Sequence, residues 1–368
     1  MSARLVPVIT DSGIGGTEKA LLQLLERIDR SLFNPVGIIV IKGRREMADR
    51  WEALKIPVYA IGMSRWPTPM GLSRLRARLV ELRPDIVHAF LYHAIQLSRL
   101  ASRAQPWKLI TSPRVNYRFA SPWTIAIDRC LRGRDALSVC ESRAGRETLI
   151  KLGYPADRVA VAPNGVNVAA FARIEDARRR LRREWSVAEG EVVVGAIGRL
   201  HAQKGFDLLV RAAAELARSP VKFRVMIAGA GPEEAALRAQ AAQLNVPVTL
   251  LGERADVAAL LSAFDVYVQS SRYEGMSNAL LEALAVGLPC AATAVDGTLD
   301  VAKDGENMLL VRPDDAIALA VAIGYLLEKP DLRSRLAENA MITARNLSVE
   351  RMVSAFHEAY RTVLSQQT

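Results

Sequence analysis

Val192-Val193-Val194-Gly195-Ala196-Ile197-Gly198-Arg199-Leu200 restarts a pattern that the chain has already run through once. The six residues before Gly198 form an unbroken apolar run, the mark of a strand covered on both faces. Comparable runs follow at Phe223 to Ala228, Val248 to Leu251, Val266 to Gln269, Cys290 to Thr293 and Met308 to Val311, with longer helical patterns between them. Upstream lies the first round: Leu5 to Ile9, Val36 to Ile41, Val58 to Ile61, Ile86 to Ala89, Lys108 to Thr111, Ala136 to Val139 and Val159 to Ala162. Strands alternating with helices predict parallel sheets, and the restart predicts an α/β chain of two Rossmann-like, doubly wound parallel-sheet domains facing a central cleft.

The length agrees, because 368 residues exceed what one core usually supports. The turn Pro163-Asn164-Gly165 and the charged stretch Arg173 to Glu191 mark the junction. We expect an N-terminal domain over 1–168, a C-terminal domain over 169–347, and a final helix over 348–368 that packs back toward the first domain. The arginines at 178, 179, 180, 182 and 183 read as a solvated helix face rather than a phosphate site.

Composition narrows the function classes. With 50% hydrophobic and 24% charged residues, the chain is a globular enzyme type rather than a disordered or fibrous one. The opening MSARLVPVIT reads as a first strand rather than a leader, and the most apolar stretch, Ala279 to Val295, is interrupted by Glu282, Gly287 and Pro289. A cytoplasmic protein is expected, peripheral at the inner face of the membrane. Cys130, Cys140 and Cys290 lack metal spacing and are expected to be buried apolar residues. The basic excess sits in front: Met1 to Val168 holds 26 Lys and Arg against 14 Asp and Glu. Such a face can attract anionic lipid headgroups, phosphorylated lipid acceptors or nucleic acid, or be simply a soluble arginine-rich surface. Nucleic acid is not an expected partner, since no nucleic-acid module or aromatic-studded basic sheet is present.

In open parallel sheets ligands bind beyond the carboxyl ends of the strands, so the loops there carry the chemistry. After Ile197 come Gly198, Arg199 and, five residues on, Lys204: two cations on one loop that can grip a diphosphate. After Gln269 comes Ser270-Ser271-Arg272-Tyr273-Glu274-Gly275-Met276-Ser277-Asn278, then a helical run that Gly287 and Pro289 end. Asn278 is a suitable N-cap, and the helix start makes the Gly275 to Asn278 backbone an anion site. Glu274 precedes that helix and Glu282 lies about one turn, ~5 Å, inside it. Two carboxylates so placed can hold the hydroxyls of one extended ligand.

This set of motifs resembles the retaining glycosyltransferase family 4, with its two-domain GT-B fold. The resemblance rests on Gly15-Gly16-Thr17-Glu18, Pro84-Asp85-Ile86-Val87-His88, Pro163-Asn164-Gly165-Val166, Gly198-Arg199-Leu200 with Lys204-Gly205, and Glu274 spaced from Glu282. It implies that Arg199 and Lys204 neutralise the diphosphate of a nucleotide-sugar donor, Glu274 holds the transferred sugar and Glu282 the ribose. Gly198, Gly275, Met276, Ser277 and Asn278 then line the donor, and Gly15 and Gly16 close over it. His88 and His93 are candidates for contact with sugar or acceptor, His93 slightly ahead; the second strand-end His of the family is Phe90 here. Gly229 to Gly231 either borders the nucleotide or is a plain turn. The resemblance implies a metal-independent hexosyltransferase without cofactor, using a UDP- or GDP-type sugar and a glycan or lipid-linked acceptor in cell-surface polysaccharide or lipopolysaccharide synthesis. A nucleotide-sugar epimerase on the same plan is the alternative, and a nucleic-acid-binding protein a remote one.

Overall fold

The apolar runs become strands because each residue finds cover on one side of a sheet or the other. Within Val192–Ile197, Val193 enters the core on one face while Val192, Val194 and Ala196 enter the core on the opposite face. The computed structural model describes residues 2–63, 68–114 and 121–366. The chain divides into two compact units, Met1–Asn164 with Val349–Thr368, and Gly165–Ser348.

The first unit contains β1 (Ala3–Ile9), β2 (Phe33–Pro35), β3 (Ile38–Val40), β4 (Val58–Ala60), β5 (Ile86–Phe90), β6 (Lys108–Ser112), β7 (Leu137–Cys140) and β8 (Val159–Val161). They pair in the order β4-β3-β1-β5-β6-β7-β8, all parallel, with β2 also on β1. The run at Val36 to Ile41 is one strand, Ile38–Val40, and a further short piece, Phe33–Pro35, precedes it on β1. On one face lies the terminal helix Val349–Ser365, whose Val349, Met352, Val353, Phe356 and Tyr360 pack with Leu5, Ile86, Ile110 and Val139.

The second unit contains β9 (Val192–Ile197), β10 (Phe223–Ala228), β11 (Val248–Leu250), β12 (Val266–Gln269), β13 (Cys290–Thr293) and β14 (Leu309–Val311), ordered β11-β10-β9-β12-β13-β14 and all parallel. Each sheet is therefore doubly wound, as the alternation predicts. In each, strand order reverses beside the strand that starts the sequence: between β1 and β5, and between β9 and β12.

Two readings of the sequence need correction here. The arginine-rich helix Glu175–Glu184 turns Arg178 and Arg182 inward, where they pair with Asp265 at 2.5 and 2.6 Å, so two of the five arginines clamp the start of β12. Cys130 is exposed, while Cys140 and Cys290 are buried as expected.

Candidate active site

The loops that leave β9 and β12 meet at the reversal point of the second sheet, and their contacts zip them into one piece. The Arg272 amide donates to the Gln203 carbonyl at 2.8 Å, and Gln203 Nε2 donates to the Tyr273 carbonyl at 3.1 Å. The Arg272 guanidinium grips both carboxylate oxygens of Asp207 at 2.8 Å, the Ala202 carbonyl at 2.8 Å and Asp314 at 2.7 Å. Such a fork suits a planar guanidinium and cannot be reproduced by lysine. Ser270 Oγ donates to the Lys204 carbonyl at 3.0 Å. Gly205 is required between the loops: its φ is +60°, and a Cβ there would stand 2.1 Å from the Ser270 carbonyl.

The zip brings Lys204 and Glu274 together across 70 residues of sequence. Lys204 Nζ and Glu274 Oε1 form an ion pair, and the same carboxylate oxygen accepts from Ser271 Oγ at 2.8 Å. Glu274 keeps only 7% of its side-chain surface exposed and Lys204 keeps 22%, so the pair sits at the mouth of the loop junction rather than in bulk water. Arg199, the other predicted cation, is exposed on the same β9 loop. Its neighbours fix the backbone: Leu200 is fully buried, the Gly198 amide donates to Ala228 and the Leu200 amide to Ala230. Gly229 packs directly on the Gly198 carbonyl, so the glycine-rich segment supports the Arg199 loop.

The helix after this junction is Asn278–Val286, capped by Ser277, whose hydroxyl accepts from the Leu280 amide at 3.3 Å. The expected cap, Asn278, is instead the first helical residue, because Ser277 holds the extended backbone that a cap needs. Gly287 terminates the helix in the left-handed conformation, as read from sequence. Met276 and Ser277 are buried, and Asn278 and Glu282 half-buried. Tyr267 on β12 is fully buried; burial pushes its hydroxyl pKa well up, and the negative charges of Glu282 and Glu274 act in the same direction. The short helix Asp296–Leu299 closes on the helix start: the Gly297 amide donates to the Glu274 carbonyl at 3.3 Å, and a Cβ at Gly297 would lie 1.6 Å from the Gly275 carbonyl. Gln269 Nε2 donates to Thr298 Oγ1 at 2.6 Å and holds that short helix in place.

In the first unit, Gly15 is the N-cap of the helix Gly16–Arg27, and the Glu18 carboxylate curls back to where a Gly15 side chain would be. Glu18 is buried, which raises its pKa, as does nearby Asp11. Asp11 also pairs with Lys42 at 3.4 Å and Arg45 at 3.8 Å. These four residues carried no assignment from sequence; only Glu18 stood inside a quoted motif. His93 is exposed on the first turn of the helix Tyr92–Ala101, and its pKa is lowered by partial burial and by the charge of Lys42. Lys42 and His93 therefore share the β1/β5 reversal point with the Gly15 loop. His88 does not. Its ring is fully buried, with Nδ1 bonded to Tyr360 at 2.9 Å and Nε2 to Ser112 at 2.8 Å, so both nitrogens are spent on tying the terminal helix to β5 and β6. Burial and the Arg114 charge hold its pKa well below the ordinary imidazole value.

Two doubly wound parallel sheets are the architecture of the GT-B class, and the second carries a cation–carboxylate pair at its reversal point. Comparison with known proteins agrees. Residues 14–170 match the family Glycosyltransferase Family 4, and residues 177–342 match Glycosyl transferases group 1. The lipopolysaccharide core biosynthesis glycosyltransferase LpsE of Rhizobium meliloti is 37% identical over 289 residues, 78% of this chain and 74% of that protein. The D-inositol 3-phosphate glycosyltransferase of Acidothermus cellulolyticus is 34% identical over 311 residues, 77% of this chain and 68% of that one. Among solved structures, Anabaena HepE in complex with UDP-glucose superposes with a TM-score of 0.87 at 22% identity, covering 98% of this chain and all of HepE, which shows the shared fold. The chain belongs to glycosyltransferase family 4, the group 1 glycosyl transferases, a retaining family of GT-B enzymes that use nucleotide sugars.

Proposed function

We propose that this enzyme transfers a hexose-type sugar from a UDP-linked donor to a glycan or lipid-linked acceptor in the synthesis of cell-surface polysaccharide or lipopolysaccharide. The observation that carries the reading is the Lys204–Glu274 pair, a cation and a carboxylate held side by side at the carboxyl edge of a doubly wound sheet. A nucleoside diphosphate sugar carries both complementary groups, a diphosphate and a polyol, a few bonds apart. Donor binding exchanges partners: Lys204 and Arg199 take the diphosphate, and Glu274 takes the sugar hydroxyls. Glu282, a turn further along the helix, takes the ribose hydroxyls. Gly198, Gly275, Met276, Ser277 and Asn278 line the donor, with Gly15 and Gly16 acting from the first unit and His93 as the histidine that contacts sugar or acceptor. A UDP-type donor is favoured because HepE, of the same fold, was solved with UDP-glucose.

The chemistry that fits is front-face displacement with retention. The acceptor oxygen bonds to the anomeric carbon on the side from which the diphosphate leaves. The bond from that carbon to the phosphate oxygen breaks, and the acceptor proton passes to the departing oxygen. Negative charge grows on the diphosphate, where Arg199, Lys204 and the start of the Asn278–Val286 helix stabilise it as preorganised electrostatics; loss of one such group costs ~3 kcal/mol of transition-state stabilisation in comparable sites. Calorimetric titration of UDP, GDP, ADP and their glucose conjugates tests the reading. Selective binding of UDP species, abolished in Arg199→Ala and Lys204→Ala, is the expected result. Binding of none, or binding indifferent to both substitutions, refutes the donor site. An epimerase would instead convert the UDP-sugar to its epimer with no acceptor present, and that product would refute transfer to an acceptor.

A further inference from the structure

The helix Pro122–Leu131 is built inside out. Its buried residue is Asp128, which accepts from Arg99 Nη1 at 2.6 Å, from Gln96 Nε2 at 3.0 Å and from the Tyr154 hydroxyl. Arg99 is itself fully buried and also pairs with Asp135. An ionic network, rather than an apolar stripe, holds this helix to its unit.

The apolar side chains turn the other way. Trp123 is 80% exposed, the highest value among the large hydrophobic residues described, and Ile127 is 47% exposed. Ala126 and Cys130 are exposed beside them. Positions 123, 127 and 130 follow the i, i+4, i+7 spacing, so they form one stripe on the outer face. Single exposed hydrophobics are ordinary; a stripe on a helix whose acid points inward marks an interaction surface. Its electrostatic surroundings select the partner. Over residues 121–134 the acid is buried, whereas Arg129 is exposed and Arg134 half-exposed; Arg132 folds back onto the Leu152 carbonyl and the Tyr154 ring. Pairing with a second copy through a twofold axis would bring like charges together.

We propose that this face docks on an anionic lipid bilayer, with Trp123 and Ile127 entering the headgroup region and the arginines meeting lipid phosphates. Tryptophan suits the membrane interface, where an apolar ring and a polar N–H are both satisfied, and a helix of this kind lies in the plane of the surface. The inference deepens the reading of a lipid-linked acceptor, and it is tested without any sugar donor. Purified protein is sedimented with sucrose-loaded vesicles of phosphatidylcholine alone or with phosphatidylglycerol, at physiological salt. Cys130, the exposed cysteine beside two buried ones, takes an environment-sensitive fluorophore for a second readout. Binding only to the anionic vesicles is expected, with a blue shift of the label. Trp123→Ser combined with Ile127→Ser weakens partition by roughly tenfold or more. Arg129→Gln with Arg134→Gln weakens it about 25-fold, at about fivefold for each basic residue near an anionic surface. UDP-sugar titration of each variant serves as the folding control, because none of these residues belongs to the donor site. Equal binding to both vesicle types, binding unaffected by either pair of substitutions, or a dimer in sedimentation velocity that Trp123→Ser dissolves would overturn the proposal. Vesicle binding without donor binding would instead refute the proposed donor site alone.

Discussion

Replacing Lys204 by methionine separates what the Lys204–Glu274 pair does for the fold from what it does for the ligand. At hydrogen-bond separation, about 3 Å, and an effective dielectric near 20, the Coulomb attraction is about 5 kcal/mol. Most of that is offset by the cost of withdrawing both groups from water. Breaking a buried pair by removing one partner commonly costs ~3–5 kcal/mol, because it strands the other charge. Lys204 is 22% exposed and Ser271 remains bonded to Glu274, so we discount this to about 2–3 kcal/mol. For a domain of this size the melting temperature should fall by roughly 4–12 °C. Adding Glu274→Gln to Lys204→Met removes the stranded charge and should restore stability to within about 1 kcal/mol of wild type. Donor affinity should not return, because both ligand contacts are then gone. Calorimetric unfolding and UDP-glucose titration on wild type, both single variants and the double variant complete the cycle. The reasoning is refuted if Lys204→Met melts with wild type, if the double variant stays as unstable as Lys204→Met, or if the double variant binds donor normally.

Other expectations address the parts around that pair. Arg272→Lys should leave folding within about 2 kcal/mol of wild type yet raise the donor Kd or KM by tenfold or more, because lysine cannot bridge Asp207, Ala202 and Asp314 at once; steady-state kinetics beside urea melts would show the split. Gly297→Ala should cost more than ~2 kcal/mol and weaken donor binding, since a methyl group 1.6 Å from the Gly275 carbonyl must push the helix start out of place; a urea midpoint shift below the error of the measurement would contradict it. His88 gives a pH dependence with a definite sign. Its folded pKa lies below the unfolded value of about 6.5, so the unfolded chain binds the proton more readily and stability falls as pH drops below ~6.5, by up to ~1.4 kcal/mol per pH unit until the folded pKa is reached. Urea melts from pH 7.5 to 5 should show this slope in wild type and a shallower one in His88→Gln.

Where the sequence was legible, the reason was periodicity. A strand covered on both faces is mostly apolar, so Val192–Ile197, Phe223–Ala228, Val266–Gln269 and Cys290–Thr293 could be delimited without coordinates. The place of the candidate site was legible too, because Lys204 and Glu274 occupy loops that a doubly wound sheet must bring to one edge, and Glu282 lies in the helix that follows. Gly287 as a helix terminator needed nothing beyond its freedom at positive φ. Partnership was the part that only tertiary structure could decide. Nothing local tells that Arg272 will find Asp207, 65 residues away, or that Arg178 and Arg182 will leave solvent for Asp265. His88 and His93 look alike in sequence, yet one is locked between Ser112 and Tyr360 and the other reaches solvent, because burial depends on what the distant Val349–Ser365 helix covers. The same holds for Pro122–Leu131, whose outward apolar face follows from an ionic network assembled by Arg99 on another helix. Spacing along the chain sets which elements form; the long-range pairing of charges sets which of their faces remain available to a ligand or a membrane.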